Sequence, residues 1–508
     1  MSVERQVTTN FFNKYSTWVV SIIIAFVLIY AMFIDFLPVF LGGYADRRLL
    51  LCFVTWTSVV GCLAYLVIVG EPGLTWLLIW PFVLITLCLG LIAYYSSGDF
   101  GTVEPIFYAL FFNAFGFTGA CLVKAKRVGQ VLNSLILIVT VFCFFYGAMS
   151  LTVYMFAIAD NFSNLDKVIP WGYVNIRYWS HIATWVIPLL PLATLIGPLK
   201  KSRLWGVGVI VAGALWWWIV FLSSSRGTLA AMVVAIVMVA LMFRGSCLPW
   251  LKVFLKHLGF GLIAWLFLSI VIPSFVFEEL QVRSIGSGVS GRWPLWEEAW
   301  AMSLHTFPFG MGSHSWLTHE VITDSYQTSK RFGHPHNMYL MWAAEYGWLT
   351  VGAMALPVVV GFSRLLRQRR RIIAGEFDSL SAGLVGVTAS VIAALTHAGV
   401  SAVFLAPASM LVGYLVLSVF WAIVSTGYEP LSVASNVSLK RAGRTIAFLL
   451  MLSVTLVGVL WLEEVFRYHR AMVADLAYYD EHVQLRKLPR FWFHGNFPRH
   501  PSTMPQNE

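Results

Sequence analysis

Long, uninterrupted runs of apolar residues constrain this chain more than any other feature. A helix needs about 20 mostly apolar residues to cross the hydrocarbon core of a bilayer. About thirteen segments of the 508-residue chain meet that requirement, near residues 18–40, 49–69, 74–95, 103–123, 131–159, 178–197, 204–222, 227–243, 251–273, 338–362, 380–396, 402–425 and 445–462. Only 11% of the residues are charged, against about 25% in soluble domains, which excludes a soluble globular protein. The sequence therefore predicts an all-α polytopic membrane protein with about 12–13 transmembrane helices.

The spacing of these runs divides the chain into four parts. We expect N-terminal transmembrane helices over residues 1–273, a large external loop over 274–337, C-terminal transmembrane helices over 338–462 and an external tail over 463–508. The first apolar run is too long for a cleaved signal peptide and is expected to remain as an anchor. The aromatic and basic tail is expected to lie on the membrane interface; the alternative is that it docks a substrate.

Basic residues indicate the orientation. If the N-terminus is cytoplasmic, the cytoplasmic loops hold 19 Lys and Arg residues and the short external loops hold five. Such an excess is typical of cytoplasmic loops, and only Arg47 and Arg48 oppose it. The net charge of +10 is therefore interpreted as membrane topology and not as a nucleic-acid-binding surface. The C-terminus and both long segments are expected on the side opposite the cytoplasm.

Ionisable residues are scarce within the predicted spans. Asp35 and Glu104 lie near span ends, and the middles of the helices are almost free of charge. Ion-coupled transport usually relies on buried ionisable groups along a path. The polar residues collect instead in the 274–337 loop and at the helix ends beside it, which favours a site at the outer membrane surface.

His336 and Asn337 stand where the 338–362 span begins. If the helix starts at His336, Ala343 and Gly347 share its face, and small residues there would let a neighbouring helix approach closely. The alternative is that Asn337 is an N-cap and His336 an interfacial loop residue.

Arg226 opens the 227–243 span at its external end. A cation at a helix N-terminus interacts unfavourably, though mildly, with the positive end of the helix dipole. An anion held between the arginine and the helix end would make that interaction favourable. The alternative is an arginine that snorkels to lipid headgroups. Four more basic residues in the long loop add positive charge there: Arg283, Arg292, Lys330 and Arg331. The alternative interpretation of each is a solvated surface residue.

The middle of the long loop is predicted to contain a helix. Residues 292–304 have helical apolar periodicity, with an apolar face formed by Trp293, Trp296, Ala299, Trp300 and Leu304. The turn-rich stretch PFGMGS at 308–313 ends it.

These residues carry a family resemblance. His336-Asn337, nine residues, Gly347, two residues and Thr350 fit a pattern of the O-antigen ligase/polymerase superfamily of bacterial inner-membrane glycosyltransferases. Residues 226–229 match its Arg-x-x-Leu element, and residues 292–312 resemble its Arg…Trp…Pro-x-Gly-x-Gly block. The HPHN spelling, with Trp and Glu following in MYLMWAAEYG, is most similar to PglL-type O-oligosaccharyltransferases, which glycosylate pilins and other proteins. Those enzymes often carry a further C-terminal region, whereas this chain ends after the 463–508 tail.

The resemblance implies a GT-C-like enzyme that moves a glycan from undecaprenyl diphosphate to an acceptor hydroxyl in the periplasm. It implies inversion at the anomeric carbon, with no metal and no other cofactor. Its partners would be the undecaprenyl-diphosphate-linked glycan donor, an acceptor protein such as a pilin or the lipid A-core, and the lipid bilayer. The implied general base is His336, the implied diphosphate ligands are Arg226, Arg292 and Arg283, and the implied supporting residues are His334, Asn337, Gly347 and Thr350.

Three other functions are compatible with the sequence. The first is an O-antigen ligase or an O-antigen or polysaccharide polymerase of the same superfamily. The second is a transporter of lipid-linked sugars, which would need a polar passage through the bilayer. The third is a metal-dependent glycosyltransferase that uses Asp35 or Asp46 near the first external loop.

Overall fold

A computed structural model of the protein consists of helices and connecting loops. It describes residues 2–38, 42–43, 45–69, 72–96, 100–173, 175–277, 291–373, 379–427, 437–482 and 490–493. The helix content is 82%, and these residues contain no strand. The predicted all-α polytopic membrane fold is confirmed.

Twelve of the described helices precede the long loop. They are α1 Ser2–Phe33, α2 Asp46–Val69, α3 Pro72–Tyr95, α4 Val103–Lys124, α5 Val128–Ala159, α6 Leu165–Val168, α7 Ile176–Val186, α8 Leu192–Leu195, α9 Arg203–Leu222, α10 Arg226–Phe243, α11 Leu248–Trp265 and α12 Ile272–Val276. Short 3-10 helices lie at Ile34–Phe36 and Arg244–Cys247, and a π-helix at Leu266–Val271 joins α11 to α12.

Eight more described helices belong to the loop and to the C-terminal part. They are α13 Trp293–His305, α14 Ser315–Thr318, α15 Asp324–Gln327, α16 Met338–Ile373, α17 Ser379–Ala398, α18 Pro407–Ser425, α19 Val437–His482 and α20 Arg490–Phe493.

Eleven segments of the described chain are helical, long and apolar enough to cross a membrane. One of them, Arg226–Val276, has 51 residues and is broken where Arg244 takes a φ of +51°; it therefore contains both the predicted 227–243 and 251–273 spans. The predicted 178–197 span is divided between α7 and α8 by a run of turns. These two places account for the difference from the thirteen expected segments.

Helix α18 lies at the centre of the bundle. Nearly all of its residues are buried, and it packs against α4, α1, α17 and α7. Around it, α9 packs on α11, α10 on α17, and α3 on α4. The central position of α18 joins helices from both halves of the chain into one core.

The long loop has a small hydrophobic core of its own, in which Leu295 and Met302 of α13 pack with Trp316 and Tyr326. Beside it, the buried Glu298 accepts hydrogen bonds from His319 Nε2 at 2.8 Å and from the backbone N–H of Thr323 at 2.8 Å. Burial raises the pKa of Glu298, but hydrogen bonds from His319, Thr323 and Ile322 outweigh it and leave the pKa below its usual value. The carboxylate therefore fixes the 319–323 segment to α13.

The predicted apolar face of α13 is wrong in part. Trp293 is 63% exposed and Trp300 is 50% exposed, while the buried face carries Leu295, Glu298 and Met302. The side of α13 that carries Glu298 faces inward, because the hydrogen-bond partners of Glu298 lie in the 319–323 segment. Exposed tryptophans of this kind are typical of residues at a membrane–water interface.

The PFGMGS stretch packs against a break in α16. Gly347 has φ +83°, and around it Met311 N donates to Ala344 O at 2.8 Å and Leu349 N donates to Pro308 O at 3.2 Å. A Cβ on Gly347 would lie 2.2 Å from Pro308 O. The expectation that a neighbouring helix approaches Gly347 is therefore wrong, because loop backbone occupies that space.

The tail is not confined to the membrane interface. Helix α19 continues from Val437 to His482, so no break separates the last span from the tail, and Arg490, Phe491 and Trp492 are buried. The expected interfacial location is wrong for these three residues, since they insert into the core. Arg490 and the backbone of Trp316 both bond to Glu345. The long loop and the tail therefore lie on the same side of the bundle, which we call the loop face.

Replacing Gly347 by alanine is expected to destabilise the protein by at least about 2 kcal/mol, because it combines a positive φ with contact against backbone. The measurement is the midpoint temperature of unfolding in detergent. The matched control is Gly352→Ala, an exposed helical glycine with nothing within 4 Å of an added Cβ. Equal midpoints for the two variants would contradict this account of the α16 break.

Candidate active site

His336 stands just before α16 in a turn that the sequence dictates. Asn337 is the N-cap: its Oδ1 accepts hydrogen bonds from Tyr339 N at 3.0 Å and from Leu340 N at 3.1 Å. The alternative that made Asn337 an N-cap is correct. His336 precedes the helix with φ +57°, so the expectation that it shares a helix face with Ala343 and Gly347 is wrong.

The imidazole of His336 is buried against the end of the long loop. Its ring packs edge-on to Phe332 at 5.2 Å and to His334 at 4.3 Å between centroids. The backbone N–H of His336 donates to His334 Nδ1 at 3.1 Å, so that nitrogen of His334 is unprotonated. Phe332 and His334 thus hold the ring of His336 in one orientation.

Three arginines from separate elements lie near one another, and two of them, Arg177 and Arg292, lie near His336. Burial and the charges of Arg177 and Arg226 lower the pKa of Arg292. Arg177 is in the first turn of α7, Arg226 begins α10, and Arg292 precedes α13. Neighbouring positive charges repel one another. An anion bound among the three guanidinium groups would offset that repulsion.

The two arginines on bundle helices, Arg177 and Arg226, are exposed and are placed by a polar contact between α7 and α10. Thr228 Oγ1 donates to Ser180 O at 3.2 Å, and Ser180 Oγ donates to Arg177 O at 2.7 Å. Arg177 and Arg226 therefore lie at the same level on adjacent helices.

His397, at the end of α17, closes the floor of this region. Thr184 Oγ1 lies 2.8 Å from His397 Nδ1, and a Cβ on Gly227 would meet His397 Nε2 at 2.7 Å. A glycine after Arg226 is therefore required by the close approach of the imidazole. The ring of His181 lies 5.2 Å from that of His397, and its Nε2 is 2.7 Å from Ser401 Oγ.

His336 is held in its neutral form. Burial, followed by the charges of Arg177 and Arg292, lowers its pKa to about 3 from an ordinary value of 6.5. A neutral imidazole can accept a proton, and the arginines that depress its pKa can bind an anion.

An apolar groove runs along α10, α16 and α17. It is lined by Met238, Met242, Met354, Phe362, Val391 and Leu395, which belong to α10, α16 and α17. Its upper end lies at the loop face, because Tyr339 Oη donates to Leu395 O at 2.7 Å. Its lower end is at Met242, whose carbonyl accepts a hydrogen bond from Arg369. The groove thus follows the long axis of the bundle with a hydrocarbon and thioether lining.

The structure brings together some of the predicted site residues and not others. His336, His334, Arg226 and Arg292 lie in one region, and Asn337 caps the adjoining helix. Thr350 donates to Tyr346 O at 2.7 Å and, with Gly347, belongs to the α16 break. Arg283 lies outside the described residues.

Two residues of this region were not singled out from the sequence. Arg177 counts only among the external basic residues, and His397 falls between the predicted 380–396 and 402–425 spans. The asparagine two residues before Arg177 is a sequence signal that Arg177 lies in the first turn of a helix. Asn175 Oδ1 caps α7 by accepting a hydrogen bond from Arg177 N at 2.9 Å. Nothing in the sequence around His397 indicated its contact with Gly227.

The carboxylates of the metal-dependent alternative have other partners. Asp35 pairs with Arg47 at 2.8 Å, and Asp46 accepts from Gly43 N at 2.6 Å and lies 3.3 Å from His469. Within the described ranges, no group of three or more His, Cys, Asp or Glu residues is arranged to hold a metal ion.

Residues 209–355 match the family model described as O-antigen ligase. This stretch runs from α9 to just beyond the α16 break and includes Arg226, Arg292 and His336. The match supports the O-antigen ligase/polymerase superfamily and a membrane glycosyltransferase of that type. No curated protein matches the chain.

Proposed function

We propose that the protein is an inner-membrane O-oligosaccharyltransferase of the PglL type. It transfers a glycan from undecaprenyl diphosphate to a hydroxyl of an acceptor protein in the periplasm. The observation that carries the proposal is the grouping of Arg177 and Arg226 around Arg292, with Arg177 and Arg292 near the buried His336.

The donor has two parts, and the protein offers a complementary surface for each. Guanidinium groups bind phosphate oxygens in pairs, so the arginines take the diphosphate. The polyprenyl chain is then accommodated by the apolar groove along α10, α16 and α17, whose upper end is at Leu395. An apolar groove suits a hydrocarbon chain better than a sugar, which favours transfer over transport.

The transfer is an in-line displacement at the anomeric carbon. The acceptor oxygen forms a bond to that carbon as the bond to the phosphate oxygen breaks, and the electron pair leaves with the polyprenyl diphosphate. The imidazole of His336 takes the hydroxyl proton, and the arginines stabilise the charge that develops on the leaving group. Attack opposite the leaving group inverts the anomeric centre. The guanidinium groups supply the positive charge, so the step needs no metal ion.

The periplasmic location follows from the distribution of basic residues. Arg364, Arg367 and Arg369–Arg371 lie at the end of α16 away from His336, as expected for a cytoplasmic end. The loop face is then periplasmic, together with the tail and the C-terminus, and the N-terminus is cytoplasmic.

The acceptor class is proposed from the sequence beside the candidate base. The HPHN spelling at 334–337 supports a protein acceptor such as a pilin. The alternatives are the lipid A-core, as for an O-antigen ligase, and a growing glycan, as for a polymerase.

His336→Ala is expected to lower kcat by about 10²- to 10⁴-fold, because the acceptor loses its proton acceptor. Replacing any one of the three arginines by methionine is expected to raise the KM for the lipid-linked donor by about 10- to 100-fold, since each change removes charged hydrogen bonds of about 1.5–3 kcal/mol. The variants are Arg177→Met, Arg226→Met and Arg292→Met. Transfer is measured with purified protein, a lipid-linked glycan and an acceptor. The control is Lys330→Ala, an exposed cation of the same loop. Near-normal kcat in His336→Ala would refute the proposal.

The pH profile tests the state of His336. In the free enzyme its pKa is lowered to about 3, so kcat/KM is expected to have its acidic limb well below pH 6.5, because this ratio reports the free enzyme. Bound diphosphate adds negative charge beside the imidazole and raises its pKa. The limb of kcat is therefore expected at a higher pH than that of kcat/KM. Coincident limbs would contradict this.

A deletion strain distinguishes the acceptors. If the acceptor is protein, the strain is expected to lose a pilin mass increment while its lipopolysaccharide ladder and its capsule remain. Loss of the ladder with an unchanged pilin mass would assign a ligase or an O-antigen polymerase, and loss of capsule alone a polysaccharide polymerase. Complementation with the intact gene and with His336→Ala is the matched control.

A further inference from the structure

The tail delivers one fully buried arginine to two carboxylates from different helices. Arg490 Nη1 and Nη2 donate to Glu345 Oε1 and Oε2 at 2.8 Å and 2.7 Å, and Nη2 also donates to Glu104 Oε2 at 2.9 Å. All three side chains are at most 1% exposed. Removing one partner from such a buried group leaves uncompensated charge.

The residues after Arg490 fix it in place. Arg48 Nε donates to Phe491 O at 2.7 Å, and the Arg48 guanidinium lies over the rings of Phe491 and Phe107 at 4.8 Å and 5.0 Å. These contacts also explain Arg48, whose charge opposed the inside-positive bias. The segment is thus anchored to α2 and α4 on one side and reaches Glu345 of α16 on the other.

Glu345 is also a support of the long loop. Its Oε1 accepts from Trp316 N at 3.1 Å, and Trp316 Nε1 donates to Phe332 O at 2.9 Å. Phe332 packs edge-on to His336 at 5.2 Å between ring centroids. A continuous series of contacts therefore runs from Arg490 through Glu345, Trp316 and Phe332 to His336.

We propose that Arg490 is a positioning residue for glycan transfer: it fixes Glu345, and through Trp316 and Phe332 it sets the orientation of the His336 imidazole. The inference rests on the proposed function, in which His336 takes the acceptor proton. It assigns the C-terminal segment a part in the reaction, although that segment lies outside the region that matches the ligase family.

The consequence of losing Arg490 follows from charge. Glu345 and Glu104 then face one another without a counter-ion, with His314 Nε2 3.1 Å from Glu104 Oε2 as the remaining basic neighbour. Repulsion between the carboxylates displaces Glu345 and releases Trp316. Water then reaches His336, and its pKa rises toward the ordinary value despite Arg177 and Arg292, while His334 no longer holds its backbone. Donor binding is largely retained, because Arg177 and Arg226 stand on bundle helices and α13, which follows Arg292, keeps its own packing against α16.

The test uses full-length protein with Arg490→Lys, which keeps the charge but not the paired geometry, and Arg490→Met. We expect kcat to fall in the order wild type, lysine, methionine, by about 10- to 100-fold in the last, with the donor KM within about two-fold. The acidic limb of kcat/KM is expected to move to higher pH in both variants. The control is Arg470→Met, an exposed arginine of α19, which is expected to match wild type.

The results separate this inference from the proposed function. Wild-type kcat and pH profile in Arg490→Lys and Arg490→Met, with His336→Ala inactive, would overturn the positioning role alone. A rise in donor KM without a fall in kcat would also overturn it, because Arg490 would then act in binding. Should Arg490→Met fail to fold, Arg490→Lys decides, since a lower kcat with a shifted limb supports the role and an unchanged profile refutes it. Transfer by His336→Ala would refute the proposed function itself.

Discussion

An unpaired backbone N–H or C=O costs several kcal/mol in hydrocarbon, and this cost decides where the helices of the protein can break. The break in α16 at Gly347 is possible because the 308–311 backbone pairs with it on both sides. The turn at His336 is possible because His334 accepts its N–H. Both irregular segments lie on the loop face under residues 291–337. In these two places loop residues supply the hydrogen-bond partners of non-helical backbone, which can present side chains in directions that a helix cannot.

Two groups of charged residues share the loop face and are built in different ways. Around the buried Arg490 the charges are matched by hydrogen bonds at 2.7–2.9 Å, so the group holds the tail, α4, α16 and the loop together. Around Arg292 the charges of Arg177 and Arg226 help to lower its pKa, and those of Arg177 and Arg292 help to lower the pKa of His336. The first arrangement is stable as it stands, whereas the second becomes favourable when an anion enters. This difference separates the structural group from the candidate active site.

The bundle was predictable from sequence because hydropathy is local: a run of 20 apolar residues is visible without knowing its neighbours. The N-cap at Asn337 was visible for the same reason. Local signals could not decide the inward face of α13, which depends on the partners of Glu298 from residues 319–323. They also could not place Arg490, because its partners Glu345 and Glu104 precede it by 145 and 386 positions in the chain. Contacts of that range are determined by tertiary packing, and a single sequence gives no sign of them.

The candidate site is divided between two parts of the molecule. Arg177 and Arg226 stand on bundle helices, whereas Arg292 and His336 belong to the long loop and its junction with α16. Neither part alone brings His336 and all three arginines together. The site therefore exists only while the loop is docked, and the docking depends on Glu345, which receives bonds from both the loop and the tail.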